Sequence, residues 1–296
     1  MTGVVAIRPT AQRWRPSPLR ATRASVAVGW CLALSLAALL LSNPLALGAL
    51  CAVVVTAGTL SGIGPQIRRL GLYAAPLALS IAVVNALVTR DGLTVIARLG
   101  DLPVFGTTDI TLEATVYGAV LGLRAATLVL CGGLYTLAVD PDAVLALMRR
   151  LSFRSALTVS IANRMVPVLM RDSRRLADAQ RCRPGGAPGR VALLRATTSG
   201  VLDRALDVAA SLEVRGYGAA WAGRGGSPTT PWSRHDLEFA LSGVLVTTTA
   251  VAARVLGVAA FSAYPTLNAP VGPGAIAVSL LLASCALAPF ADRRGI

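Results

Sequence analysis

Between Arg23 and Arg68 the chain carries no charged residue. A helix needs about 20 apolar residues to cross the hydrocarbon core of a bilayer, so this stretch has room for two crossings. Asn43-Pro44 interrupts it in the middle, which predicts spans near 24–42 and 44–62. Residues 70–89 form a third uncharged run, and 114–139 a fourth, broken only by Arg124. From Phe239 to Ala291 the single charge is Arg254. That segment accommodates two more spans, near 239–257 and 273–291, separated by the loop AYPTLNAPVGP. The basic N-terminus followed by an apolar run has the layout of a secretory leader. The run continues into a second span with no evident cleavage site, so the segment is expected to remain.

Residues 140–236 read differently. They are too polar to cross a membrane and hold 15 Arg and 8 acidic residues. The segment opens DPDAVLALMRRL, where Asp140 caps a helix and Pro141 takes its first position. Ala143, Leu145, Leu147, Met148 and Leu151 then make one amphipathic surface. Asp140 and Asp142 are a close acidic pair, but no further acids surround them, which favours capping over metal binding. A second helix is expected from about Ser155 to Arg183, kinked at Pro167 and stopped by Pro184-Gly185-Gly186. A third runs from about Gly189 to Arg215. Its Val201, Leu202, Ala205, Leu206, Ala209 and Leu212 recur at helical spacing. Both helices place an Arg in the last turn before a breaker, Arg183 before Pro184 and Arg215 before Gly216. Each complements the negative helix end, and each can project a rigid fork of donors into a partner.

The pattern predicts an all-α integral membrane protein of about six transmembrane helices, with a helical insert before the last two. Residues 1–139 would be the N-terminus and four spans, 140–236 the insert, and 237–296 two spans and a short tail. All 28 basic residues are Arg, and their placement sets the orientation. With the N-terminus inside, 24 of them fall on the cytoplasmic side, Arg90 and Arg98 outside, and Arg124 and Arg254 within spans. Both termini are then cytoplasmic in a multi-pass plasma-membrane protein.

Composition narrows the chemistry further. Without Lys there is no Walker phosphate loop, no pyridoxal Schiff base and no Ser-Lys dyad. His235 is the only histidine, so HExxH and multi-His zinc sites are absent too. No catalytic residue, metal site or cofactor is expected. The five cysteines, at 31, 51, 131, 182 and 285, form no CxxC pair and read mostly as small buried residues. The net charge of +14 raises nucleic acid as a partner. Anionic lipid headgroups lie nearer to these arginines, and aromatics for base stacking are nearly missing, so no nucleic acid is expected. Arg124, deep in a span, is expected to find a structural partner in the bundle rather than to touch another subunit. Gly118-x3-Gly122 has the spacing of close-packed membrane helices, but in a chain with 28 Gly such a pair is expected by chance.

The stretch RMVPVLMRDSRRLADAQRCRPGG resembles the signature of the transmembrane T component of energy-coupling factor (ECF) transporters, the CbiQ-like family. That signature reads approximately R-x-x-P, a charged helix, then A-Q-x-A-R-G. Here Arg164, Pro167, Gln180, Arg181, Cys182, Arg183 and Pro184 occupy it. About thirty residues on, Glu213-Val214-Arg215-Gly216-Tyr217 matches a second motif of the type E-x-R-G-Y/F. Thr111, Glu113 and Arg124, leading into Asp140-Pro141, resemble the family as well. Cys182-Arg183-Pro184 departs from the usual Ala-Arg-Gly, and Val214 from the usual Ala, while both Arg are kept. The resemblance implies a scaffold within an ABC-type importer of vitamins or metal ions. Its partners would be two ABC ATPase subunits, one per Arg motif, and a separate substrate-binding membrane S component, all within the lipid bilayer. ATP hydrolysis would belong to the partners. The alternatives are the permease of a conventional ABC importer, whose EAA-x3-G loop is not found, and a membrane-embedded transferase, whose clustered acids are missing.

Overall fold

The fold is described from a computed structural model covering residues 18–89, 94–102, 106–148, 153–182, 190–214, 232–258, 260–262 and 272–291. The chain divides into two compact units, Leu145–Pro231 and the remainder.

The larger unit is built on apolar helices. After the single turn α1 (Pro18–Ala21) come α2 (Ala24–Leu40), α3 (Pro44–Leu60), α4 (Gly64–Val88) and α5 (Leu112–Ala138). α6 (Pro141–Met148) leads out of the unit, and α9 (Arg234–Val255) and α10 (Pro273–Leu287) close it. The expected all-α membrane architecture holds. α4, α5, α9 and the segment Pro273–Phe290 are each long and apolar enough to cross a membrane. α2 and α3 stand where the first two spans were expected but have 17 residues each, about 25 Å of helix against a hydrocarbon core of about 30 Å.

Local chemistry sets the breaks. Asn43 accepts a hydrogen bond from the Leu45 N–H at 2.9 Å, and Pro44 follows it, so the Ser-Asn-Pro sequence ends α2 and starts α3 within three residues. Gly62, at φ 76°, turns the chain from α3 into α4. Thr111 caps α5 by accepting from the Ala114 N–H at 3.3 Å.

Packing relies on small residues and a few aromatics. Lipid tails are as apolar as the side chains, so close backbone approach and interhelical hydrogen bonds hold membrane helices together. α2 and α9 run in the same direction. Arg23, just before α2, meets Asp236 in the first turn of α9, and further along Trp30 Nε1 donates to Ser242 Oγ at 3.0 Å. Ser242 donates on to the Cys285 carbonyl at 2.7 Å, which ties α10 into the same point. Trp30, Phe239 and Phe290 meet edge to face, with ring centroids 5.2–5.7 Å apart. Cys31 and Cys131 are buried, Cys51 and Cys285 partly so, and all are free thiols.

α4 and α5 form an antiparallel pair. A Cβ at Gly118 would lie 2.7 Å from the Ala82 carbonyl oxygen, and one at Gly122 would press on the carbonyl of Ala78. The Gly-x3-Gly spacing is therefore the seam along which two backbones touch, and the expectation of a chance occurrence is corrected. The outer face of α4 is apolar and exposed, with Leu72, Tyr73, Leu79 and Val84 uncovered, as suits a helix facing lipid.

A hairpin that the sequence reading did not anticipate joins α4 to α5. β1 (Val95–Leu102) pairs antiparallel with β2 (Gly106–Thr111), with register irregularities between Val95 and Ala97 and between Arg98 and Asp101. Glu113, buried at the start of α5, accepts from Thr94 Oγ1 at 2.5 Å and from the Thr94 N–H at 3.3 Å. This side chain fixes the base of the hairpin to the helix.

The smaller unit contains α7 (Phe153–Arg181) and α8 (Arg190–Val214). They meet at mid-length around Leu169, Met170, Leu176, Gly200 and Val201, which line one open cavity.

Candidate functional site

Most of the residues singled out in the sequence fall on α7, α8 and the chain just beyond them. α7 runs on through Pro167, and Arg164 and Pro167 are exposed on it. Proline offers no N–H to the preceding turn. Arg171 lies one turn later and donates its Nε–H to the Pro167 carbonyl at 3.2 Å. Gln180 and Arg181 form the end of α7, and Cys182 follows as an exposed turn residue whose N–H reaches the Asp178 carbonyl at 3.3 Å. α8 ends with Glu213 and Val214 exposed, Val214 at 90%. Arg183, Pro184, Arg215, Gly216 and Tyr217 lie outside the described residues.

One ion pair joins the two helices, between Arg204 Nη1 and Asp172 Oδ2. It holds the Asp172 carboxyl below the usual carboxylate range, through the Arg204 hydrogen bond first and then the charges of Arg204, Arg175 and Arg171. The pair fixes a crossing point. Along the sequence Arg183 lies eleven residues beyond Asp172, and Arg215 eleven beyond Arg204. On either side of Arg204, α8 keeps Leu202 and Leu206 more than 60% exposed, so the apolar face read from its sequence is present and largely uncovered. Exposed apolar surface of this kind, rimmed by charge, marks a contact with protein or membrane.

In the larger unit Arg124 is the thirteenth residue of α5. Its Nη2 donates to the Leu41 carbonyl at 2.7 Å. That carbonyl closes α2, where helical carbonyls have no partner of their own and carry negative charge. A guanidinium inside an apolar bundle thus supplies the cap that the Ser-Asn-Pro break requires. Arg124→Glu should lower the melting temperature in detergent well beyond Arg124→Leu. The carboxylate forfeits a charge-assisted bond of about 1.5–3 kcal/mol and opposes the helix end by about 0.3–1 kcal/mol more. Equal effects of the two substitutions would remove the capping role.

Asp140 behaves as a cap. Its Oδ1 accepts from the Asp142 N–H at 3.0 Å, and its carbonyl from the Val144 N–H at 3.2 Å. Among the described residues no group of three or more His, Cys, Asp or Glu side chains is placed to hold a metal ion. The sequence reading missed the network at the start of α9, where Asp236 gathers Arg23 and Ser233. Its only local signal was Ser233-x-x-Asp236, a capping-box spacing.

The helices and their packing define a multi-pass helical membrane protein with a separate two-helix unit inserted before its last spans. The sequence profile of CbiQ, described as cobalt transport protein, matches residues 16–221, and the chain belongs to that family. It is a component of a membrane transport system. No individual curated protein matches the sequence.

Proposed function

We propose that the protein is the transmembrane coupling scaffold of an ECF-type importer, and that α7 and α8 carry the movement of two cytoplasmic ATPase subunits to a separate substrate-binding membrane protein. The observation that carries this reading is the crossing of α7 and α8. Two long helices are joined by the ion pair Asp172–Arg204, about two-thirds of the way along α7 and just past the middle of α8, and their motif arginines each lie eleven residues further along the sequence. Equal residue counts to the two motif arginines suit two equivalent subunits. The exposed apolar face of α8 suits contact with the membrane or the substrate carrier. The chain has no Lys for a Walker phosphate loop, which supports nucleotide hydrolysis by partner subunits. The cargo is a metal ion or vitamin bound by the carrier.

The reading sets the orientation, with the termini and the segment 140–236 in the cytoplasm. Accessibility tags at Val95 and Pro265 are expected outside, and tags at Arg190 and Gly225 inside. An external tag at Arg190 overturns the arrangement. Purified from its source membrane, the chain should bring two ATPase subunits and a small membrane protein with it, and the isolated chain should hydrolyse no ATP. Hydrolysis by the isolated chain, free of any ATPase, overturns the scaffold role.

A further inference from the structure

The α7–α8 unit is inserted into the larger unit at two places. The chain leaves along Val139–Val144 and returns along Trp232–Asp236, and both passages seat on residues 19–27. On leaving, Val139, Asp140, Pro141 and Ala143 line a cavity with Leu19, Thr22, Ala24 and Ala27. On returning, Asp236 is gripped three ways. Its Oδ1 accepts from the Arg23 N–H at 2.7 Å, its Oδ2 from the Ser233 N–H at 3.0 Å, and the Arg23 Nε lies 3.4 Å from Oδ2. The Arg23 guanidinium also lies 5.5 Å from the centre of the Trp232 ring. Leu19, 1% exposed, anchors this short segment in the core, and Thr22 donates back to its carbonyl at 2.8 Å.

The grip is strong on one side and incomplete on the other. Asp236 is almost fully buried, with both oxygens occupied. Among the described residues, Arg23 Nε makes the ion-pair contact but no well-formed hydrogen bond, and Nη2 is buried without a hydrogen-bond partner. A buried donor left unsatisfied carries a desolvation penalty, so the arrangement is not the best this guanidinium can make. A small shift of the returning chain would let Nε and Nη2 close on the carboxylate as a two-pronged pair. The contact stands where the chain returns from the inserted unit into α9.

We propose that Arg23 and Asp236 form a clamp that transmits displacement of the α7–α8 unit into α2 and α9, with Arg23 as a positioning residue for coupling. This rests on the coupling function proposed above. α2 is the recipient because its N-terminus is where both passages converge, and α9 because the returning chain continues directly into it. Arg23 and Asp236 lie outside the Arg183 and Arg215 motifs, so the clamp is expected to act on how much transport each ATP hydrolysed yields.

The test is the full complex, chain, ATPases and substrate carrier, reconstituted in proteoliposomes, with ATP hydrolysis and uptake measured together. Arg23→Ala leaves the backbone bond to Asp236 in place and removes the guanidinium. It is expected to keep ATPase recruitment at the wild-type level and hydrolysis within about twofold, and to lower uptake per ATP at least tenfold. Asp236→Asn, which preserves shape and removes the charge, is expected to uncouple likewise, and the double variant to be no worse than either single one. Unchanged uptake per ATP in Arg23→Ala overturns the clamp. So does a fall of recruitment, hydrolysis and uptake in step with a lower melting temperature, since that assigns the pair to the fold alone. A wild-type chain that recruits no ATPase removes the coupling function, and the clamp with it. Coupled wild-type uptake with indifferent variants removes the clamp only.

Discussion

Replacing Arg183 and Arg215 together by Ala is expected to abolish recruitment of both ATPases and the uptake they drive. Each Arg follows the end of a long helix, α7 or α8, where an exposed residue precedes it, Cys182 in one case and Val214 in the other. An arginine inserted into a groove of a partner makes charge-assisted hydrogen bonds of about 1.5–3 kcal/mol. The single substitutions should therefore weaken docking by roughly 10- to 150-fold at their own site, since each ~1.4 kcal/mol is a factor of ten. Lys at either position should rescue poorly, because an ammonium does not reproduce the planar fork. Membrane insertion and the bundle are expected to be unaffected, since both residues belong to the inserted segment. Pull-down with the cognate ATPases and uptake in cells measure the two effects separately. Wild-type recruitment and uptake by the double variant would reduce the two motifs to ordinary helix ends.

The membrane helices were legible because apolar runs free of charge have one physical outlet. A backbone in lipid must satisfy its own hydrogen bonds, which a helix does and an open strand does not. The same rule explains what the sequence hid. The hairpin at Val95–Thr111 lies between spans, where that constraint ends. Its β-branched stretches, Thr94-Val95-Ile96 and Thr107-Thr108-Asp109-Ile110-Thr111, are too short to stand out beside 17 to 27 residues of helix. The spans at α2 and α3 are two residues shorter than expected, because Leu41-Ser42 and Ser61-Gly62 carry no charge to end a run but serve as the end of each helix and the link to the next. Which carbonyl Arg124 would meet was not legible at all. The charge marks the residue as constrained, but its partner is 83 positions away and no spacing rule connects them. Arg23 and Asp236 were hidden in the same way, across 213 positions. In the inserted segment the helices followed from Pro, Gly and the apolar period. The crossing of α7 and α8 did not follow, since one Asp and one Arg among many charges select it.

The glycines of α5 test how much of this bundle depends on backbone contact. At Gly118 a Cβ would stand 2.7 Å from the Ala82 carbonyl oxygen and 3.1 Å from its Cα, and at Gly122 it would meet the Ala78 backbone more closely still. The obstacle at both sites is main chain, which cannot rotate aside as a side chain can. A larger residue must therefore push α4 and α5 apart along their whole seam. Overpacking of this kind costs about 1–3 kcal/mol, and more where nothing can yield. Gly122→Leu is expected to fall at the upper end or to unseat α4 altogether, because the other face of α4 is exposed among the described residues. Gly118→Leu should add little once Gly122→Leu is present, since the first substitution has already opened the gap that the second needs. Gly132 on the same helix provides the comparison. A Cβ there meets nothing within 4 Å, so Gly132→Ala should be neutral or stabilise by about 0.5–1 kcal/mol through the lost backbone freedom of glycine. Melting in detergent, read on the intact chain, separates the cases. If Gly122→Leu melts with the wild type while Gly132→Ala does the same, the two helices are not held by backbone contact, and the seam is no more than adjacent glycines in an apolar helix.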